Sequence, residues 1–332
     1  MNYNDFPKGK TIFVGVDPAA QNTIYSLISL LMQQGWTKED FLFYTSTDGY
    51  VNDQIRPFVQ PIDFSREAIE KIFIEHFPEL LFLGTSVGNR EALWVSTANE
   101  KGIKSISFID HWVNFIHRFL KDGKAFFPSG VWVLNETARL DAEKEGIPPE
   151  IIEVHRNPYY RLIEDYRPQL SKEQFYQLLG VEKNKTILFI SDPVKDNLPD
   201  IGFDEFSTLE AVLQEISTLQ KEGRAENYDV LIKLHPRCVE GKYAGIIARY
   251  DSEKLKIREV RDMDPKIMNY YADYVIGMFS NMVVEALLMK KNVLRVELNR
   301  TQELFKFDEM KCKVVTEGHK LKDELYNFLK ND

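Results

Sequence analysis

Short apolar runs alternate with longer stretches in which apolar residues return every three to four positions, and this alternation runs the length of the chain. Thr11–Val16 is a buried-strand run, after which Tyr25, Ile28, Leu31 and Met32 recur at helical spacing between Asn22 and Gln34 until Gly35 stops them. Phe41–Thr45 reads as the next strand, followed by a turn at Asp48-Gly49, a helix over Arg66–His76 and a strand over Leu80–Gly84. Asn89–Lys101 is helical in pattern, and strands at Ser105–Ile109, Val131–Leu134 and Ile151–Val154 close the series. Such alternation predicts a parallel sheet with right-handed crossovers and helices on both faces.

From Arg156 to Glu182 the rhythm breaks. Asn157-Pro158, Arg167-Pro168 and a polar helical piece ending at Gly180 contain no buried strand, so this segment reads as a crossover between domains. A second series then starts, with strands at Thr186–Ile190, Tyr228–Leu234, Lys254–Arg258, Tyr274–Gly277 and Val293–Val296. Helices are predicted at Asp204–Glu222, Pro265–Tyr271, Ser280–Lys290 and Lys320–Lys330. The expected division is residues 1–157, a linker over 158–182, and 183–332. Two open parallel sheets facing each other follow. The length of 332 residues agrees, since a single core rarely grows so large.

Composition narrows the function classes. At 44% hydrophobic and 28% charged residues the chain is an ordinary globular one. The polar start, Met1–Lys10, lacks the basic and apolar regions of a secretory signal, and no run has the length of a membrane span. Two cysteines, Cys238 and Cys312, are too few for a disulfide framework and read as reduced thiols, which together points to the cytoplasm. Neither cysteine and no pair among His76, His117, His155 and His319 has metal-ligand spacing, so no metal is expected as a cofactor. A net charge of −9 argues against a nucleic-acid partner but not against a small anion. No basic amphipathic helix marks a membrane surface, and peripheral membrane contact is left open.

In open α/β sheets ligands settle beyond the carboxyl ends of the strands, so the residues there carry the candidate chemistry. In the second half, strand Tyr228–Leu234 runs into His235-Pro236-Arg237. Proline stops the ladder and leaves two side chains able to donate to phosphate oxygens, unless His235 merely caps a buried turn and Arg237 is a solvated charge. Strand Tyr274–Gly277 is followed by Ser280, an N-cap, and the apolar helix it opens. The amides of residues 281–283 and the helix dipole there suit a phosphate without net positive charge. Glu285, a turn further on, can accept from ribose hydroxyls.

Lys233-Leu234-His235-Pro236-Arg237, followed by Ser280-Asn281-Met282-Val283-Val284-Glu285, resembles the nucleotide-binding half of the GT-B superfamily. Its members include bacterial sialyltransferases with a His-Pro motif, glycerophosphate transferases of teichoic-acid synthesis and sugar-nucleotide 2-epimerases. Asn157-Pro158 is similar to the Gly-Asn-Pro junction of those proteins, with Arg156 in place of glycine. The resemblance implies two Rossmann-like domains with parallel sheets facing across a cleft. It also implies that His235 and the helix start opened by Ser280 and Asn281 contact a nucleotide's phosphates and that Glu285 holds its ribose. The loop from Asp192 to Gly202 is expected to contribute to the base contacts.

The first domain should then supply the acceptor pocket and a catalytic group. Asp17, Asp48 and Asp110-His111 lie at strand ends, and Asp110-His111-Trp112 is the richest: a carboxylate or imidazole as base, and an indole face for a sugar ring. Asp110 could equally cap a following helix. Thr47-Asp48-Gly49 only partly echoes the acidic-acidic-glycine motif of the sialyltransferases. Gly84–Asn89 is a small loop suited to close approach by a ligand, without a dinucleotide or Walker fingerprint. The expected function is transfer of a sugar from a nucleotide-sugar donor to a surface-polysaccharide or glycolipid acceptor. The alternatives are a sugar-nucleotide 2-epimerase or a non-catalytic binding protein on the same shell.

Overall fold

The computed structural model describes residues 6–48, 51, 54–86, 88–181, 184–235 and 237–330. The chain divides into two compact units, residues 1–162 and 163–332.

The first unit is built on a parallel sheet of β1 (Thr11–Val14), β2 (Phe41–Ser46), β3 (Gln60–Ile62), β4 (Leu80–Leu83), β5 (Lys104–Phe108), β8 (Gly130–Val133) and β9 (Ile152–Val154). The short pair β6 (Leu120–Lys121) and β7 (Lys124–Ala125) stands outside that sheet. The strand order is β3-β2-β1-β4-β5-β8-β9, so the direction of progression reverses between β1 and β4. Helices α1 (Pro18–Gln33), α2 (Arg66–His76), α3 (Ala92–Glu100), α4 (Glu136–Lys144) and α5 (Pro158–Glu164) connect the strands or follow them. Alternation along the strands sorts the core. Ile12, Val14, Leu81 and Leu83 pack with Ile69, Ile72 and Phe73 of α2 and Trp94 of α3, while the interleaved Phe13 and Phe82 meet Phe6 and, in the case of Phe82, Trp132. At Gly84 a Cβ would lie 2.3 Å from that of Ala20, so only glycine lets the chain leaving β4 pass this close to α1.

The second unit repeats the plan with β10 (Lys185–Ile190), β11 (Tyr228–Lys233), β12 (Leu255–Val260), β13 (Tyr274–Gly277), β14 (Asn292–Val296) and β15 (Lys313–Val315), in the order β12-β11-β10-β13-β14-β15. All its pairings are parallel. Its helices are α6 (Lys172–Leu179), α7 (Val194–Asn197), α8 (Glu205–Lys221), α9 (Ala244–Tyr250), α10 (Pro265–Tyr271), α11 (Asn281–Leu288) and α12 (Gly318–Lys330). Leu209, Val212, Leu213, Ile216 and Leu219 of α8 and Leu321, Leu325 and Phe328 of α12 cover Ile187, Phe189, Val230 and Ile232 of the strands. Here progression reverses between β10 and β13.

Most elements lie within a few residues of their predicted places, and the departures have local reasons. Helix α1 begins at Pro18, four residues before the periodic run, because proline suits the first helical position and Asp17 is already extended. Helix α4 went unpredicted since only Ala138 and Ala142 of its residues are buried, too weak an apolar stripe to see; Asn135 caps it. Strand β3 is a three-residue edge containing Pro61, tolerated because it pairs on one side only. Among the described residues no helix is long and apolar enough to cross a membrane.

Candidate functional site

The second sheet's reversal point sets the site. The strands β11, β10 and β13 are neighbours, and their carboxyl ends carry His235, Asp192 and Ser280, so the outer two side chains emerge two strand spacings, about 10 Å, apart. Crossovers leave in opposite directions at such a point, which opens a crevice between β10 and β13.

His235 is half-buried, and burial, followed by the charges of Arg237, Lys242 and Lys233, holds its pKa below the ordinary value. Its Nδ1 accepts the amide of Arg237 at 3.2 Å, so in the neutral ring Nε2 carries the proton and is the donor available to a ligand. Pro236 lies outside the described residues. The Arg237 side chain is exposed.

Ser280 adopts the extended conformation of an N-cap ahead of α11, but its hydroxyl makes no bond to the helix amides and lies beside the Asp192 carboxyl instead. The N-cap position expected for Ser280 is borne out, without a side-chain bond to the helix amides. The amide of Val283 is also taken, by the carbonyl of Ser280 at 3.0 Å, so the helix start offers a ligand the amides of Asn281 and Met282 rather than all three. Asn281 is exposed, and Glu285 is half-buried one turn further on. There its charge reaches Tyr166, whose pKa burial, reinforced by Asp264, Tyr271 and Glu285, pushes up to about 12.

Asp192 follows β10 directly. Part of its surface is open, yet its Oδ2 is enclosed. Burial pushes its carboxyl up to about 7; the nearby Ser280 hydroxyl and Lys242 work against that shift, and Glu205 adds to it. Glu205, fully buried, pairs with Lys242 at 2.6 Å. The arrangement places a helix start, a neutral imidazole N–H and a carboxyl that is largely protonated below neutral pH around one crevice, a set of donors that suits phosphate oxygens. The following loop forms α7 and packs Val194, Ile201 and Phe203 on Met278, with Leu198, Phe279 and Leu304 at the margin, an apolar wall beside Ser280.

In the first unit Asp110 and His111 follow β5. Asp110 caps no helix: the chain bends through residues 110–115 into a 3₁₀ turn at Ile116–Arg118. Its side chain is 10% exposed and faces Arg118 at 3.9 Å. Arg118 in turn donates to Thr85 Oγ1 at 3.0 Å. Burial lowers the pKa of His111, the Asp110 charge opposing it, and Nδ1 accepts the amide of Trp112 at 3.0 Å. Trp112 itself is only 3% exposed, so it is a core residue and not a platform for a sugar ring. Asp48 is exposed and bound by Ser46 and Arg90, which hold its carboxyl below the usual range, so it is a poor base; Gly49 lies outside the described residues.

Glu91, which sequence reasoning did not single out, and Asp192, named there only as the start of a loop expected to contact the base, occupy the reversal points of the two sheets. Each is an acidic residue in the segment after a buried strand, the signal that marked Asp110. Among the described residues no group of three His, Cys, Asp or Glu side chains could hold a metal.

These two α/β units with parallel sheets have the GT-B type of fold. Solved structures similar over nearly the whole chain bear this out. The UDP-GlcNAc 2-epimerase from Methanocaldococcus jannaschii is 13% identical, with 97% of this chain and 93% of that one covered and a TM-score of 0.64. Anabaena Alr3699/HepE in complex with UDP is 13% identical, covering 96% and 88%, with a TM-score of 0.63. A further UDP-N-acetylglucosamine 2-epimerase is 12% identical, covering 97% and 87%, with a TM-score of 0.69. No family model and no curated protein matches the sequence.

Proposed function

We propose that the chain is an enzyme of UDP-sugars that holds the nucleotide diphosphate at the carboxyl edge of its second sheet. The observation that carries this reading is the start of α11 at the sheet's reversal point, where the Ser280 hydroxyl makes no bond to the helix amides and lies beside Asp192. Glu285 would take the ribose and His235 Nε2 a phosphate oxygen. Similar structures bound to UDP and to UDP-glucose support the choice of nucleotide. Their company with UDP-GlcNAc 2-epimerases favours epimerisation at the sugar over the transfer expected from the sequence. Transfer to an acceptor hydroxyl is the second reading, favoured by Asp110, a little-exposed carboxylate held by Arg118 and able to serve as base. Neither reading requires a metal, because the helix start and His235 stabilise the charge of the leaving diphosphate.

UDP is expected to raise the melting temperature of the protein by mass action. His235→Ala should weaken UDP about ten- to a hundredfold, the cost of one hydrogen bond to a charged group; a thermal shift unchanged by that substitution removes His235 from the site. Incubation with UDP-GlcNAc followed by NMR then separates the reactions: a second UDP-sugar signal marks epimerisation, and free UDP appearing only with an acceptor marks transfer. Asp110→Asn should lower turnover about 10²- to 10⁴-fold while leaving UDP affinity intact. Full turnover in that variant would assign the base elsewhere.

A further inference from the structure

The amino edge of the second sheet, opposite the nucleotide site, carries a cavity of about 670 Å³ within the second unit, a size usual for a small-molecule site. Met289, Lys290 and Lys291 at the end of α11, Tyr270 of α10 and the segment Glu164–Arg167 line it. The way α11 stops sets Lys291 there. Lys290 takes a left-handed backbone, φ 57°, and the amides of Lys290 and Lys291 return to the carbonyls of Leu287 at 2.8 Å and Ala286 at 2.9 Å, the paired bonds that close a helix and turn the chain back over its end. Strand β14 starts at the next residue, Asn292, so the cavity lies about 15 Å, the length of that strand, from the edge that carries Ser280.

Lys291 is half-buried, and its Nζ donates to the carbonyl of Tyr270 at 3.0 Å. Among the described residues no carboxylate forms an ion pair with it. The carboxylate whose charge reaches it, Asp273, is engaged elsewhere: Oδ1 accepts from Lys172 at 3.2 Å, and Oδ2 accepts from the amide and the hydroxyl of Thr186 at 2.7 and 3.0 Å. Lys172 and Lys291 thus share one carboxylate, and Lys172 holds it. Around the cavity Lys290 and Arg167 add positive charge and Glu164 and Asp165 negative charge, with Arg167 bonded to the carbonyls of Glu164 and Tyr166. Burial, opposed by Asp273 and reinforced by Lys172, holds the pKa of Lys291 below that of an ordinary lysine. Burial lowers Lys233 too, but that residue is only 6% exposed and closed to a reagent. A lysine kept in part as the free amine beside a cavity is a nucleophile.

We propose that Lys291 is a covalent attachment site for a small aldehyde seated in this cavity. The lone pair of the neutral amine attacks the aldehyde carbon, the carbon–oxygen π bond opens, and the oxygen takes a proton from the nitrogen to give a carbinolamine. The hydroxyl then leaves with the second nitrogen proton as water while the nitrogen lone pair closes the carbon–nitrogen double bond. Amine and aldehyde become imine and water, nothing is oxidised or reduced, and the imine, once protonated, keeps one N–H for the Tyr270 carbonyl. The rings of Tyr166 and Tyr270, with centroids 6.2 Å apart, and the Met289 thioether give the walls apolar surface against which a single ring can lie.

Pyridoxal added to the full chain, with the imine fixed by borohydride and located by peptide mass spectrometry, tests this. At pH 8 Lys291 should be labelled about tenfold faster than the exposed Lys71, and its rate should level off below about pH 10.4, the ordinary lysine value. Lys172→Gln removes the neighbouring cation and leaves Asp273 to Lys291, which should slow the labelling of Lys291 about threefold. Lys291→Arg should lose this label and keep the melting temperature of the wild type. Labelling of Lys291 no faster than that of Lys71, a rate that levels off only at the ordinary lysine value, or a Lys172→Gln rate equal to or above that of the wild type overturns the proposal. Protection by UDP also overturns it, since that would place Lys291 in the nucleotide site. The inference stands apart from the nucleotide reading, because the label is expected whether or not UDP binds.

Discussion

Asp192→Asn is expected to stabilise the protein at pH 8 relative to pH 5 and to remove most of the pH dependence of its UDP affinity. The folded-state pKa of Asp192, about 7, lies above the ordinary 3.8 because of burial. The stability that comes with the protonated form is thus fully present below about pH 4 and is lost as the pH rises through about 7. At 1.36 kcal/mol per unit the shift corresponds to roughly 2–4 kcal/mol, the lower end allowing for the open part of the side chain. In the wild type a carboxylate forming beside the start of α11 also opposes a bound diphosphate, so UDP should bind about tenfold more weakly at pH 8 than at pH 6. Ionisation of the ligand is common to both proteins and cancels in their ratio. Urea unfolding and UDP titration at the two pH values provide the check. Parallel pH profiles in the wild type and Asp192→Asn would show that the group does not titrate where its burial places it.

Arg295→Ala should cost about 3 kcal/mol, because it takes the bonds on Oε1 away from the buried Glu297, which keeps Arg300 on Oε2. Arg295 and Glu297 are 3% and 1% exposed at the end of β14. The guanidinium donates through Nε to Glu297 Oε1 and to the carbonyl of Met278, both at 2.9 Å, and through Nη2 to Glu303 Oε1 at 2.7 Å, with the Phe305 ring 4.2 Å from its centre. Arg300 completes the network on Glu297 Oε2 at 3.0 Å. Because β14 is the neighbour of β13, this network braces the loop beside Ser280. The double substitution Arg295→Met with Glu297→Met removes both charges and should recover much of the loss. Equal destabilisation by the single and double variants would mean that the cost lies in packing, not in the stranded carboxylate.

Much of the fold was legible in local pattern. Helices Arg66–His76 and Pro265–Tyr271 and strand Tyr274–Gly277 lie where periodicity, an N-cap and proline placed them, because each carries its own apolar stripe or run. Elements without such a stripe, α4 and β3, escaped notice. His235 and Ser280 were found because they follow strands directly. That the Ser280 hydroxyl lies beside Asp192 and not on the helix amides was not, since a serine that bonds the helix amides and one that does not read alike in one dimension.

What the sequence determined by itself is the alternation of strand and helix, the break after the first series, and the residues that leave each strand's carboxyl end. All of these depend on contacts within about a dozen positions. Strand order decided the rest. Only the assembled sheets make β10 the neighbour of β13 and β1 the neighbour of β4, and so bring Asp192 to Ser280 and Glu91 to Asp17. Burial then decided which of the many acidic residues remain protonated near neutral pH, because desolvation depends on the surrounding fold and leaves no trace in the residue or its immediate neighbours.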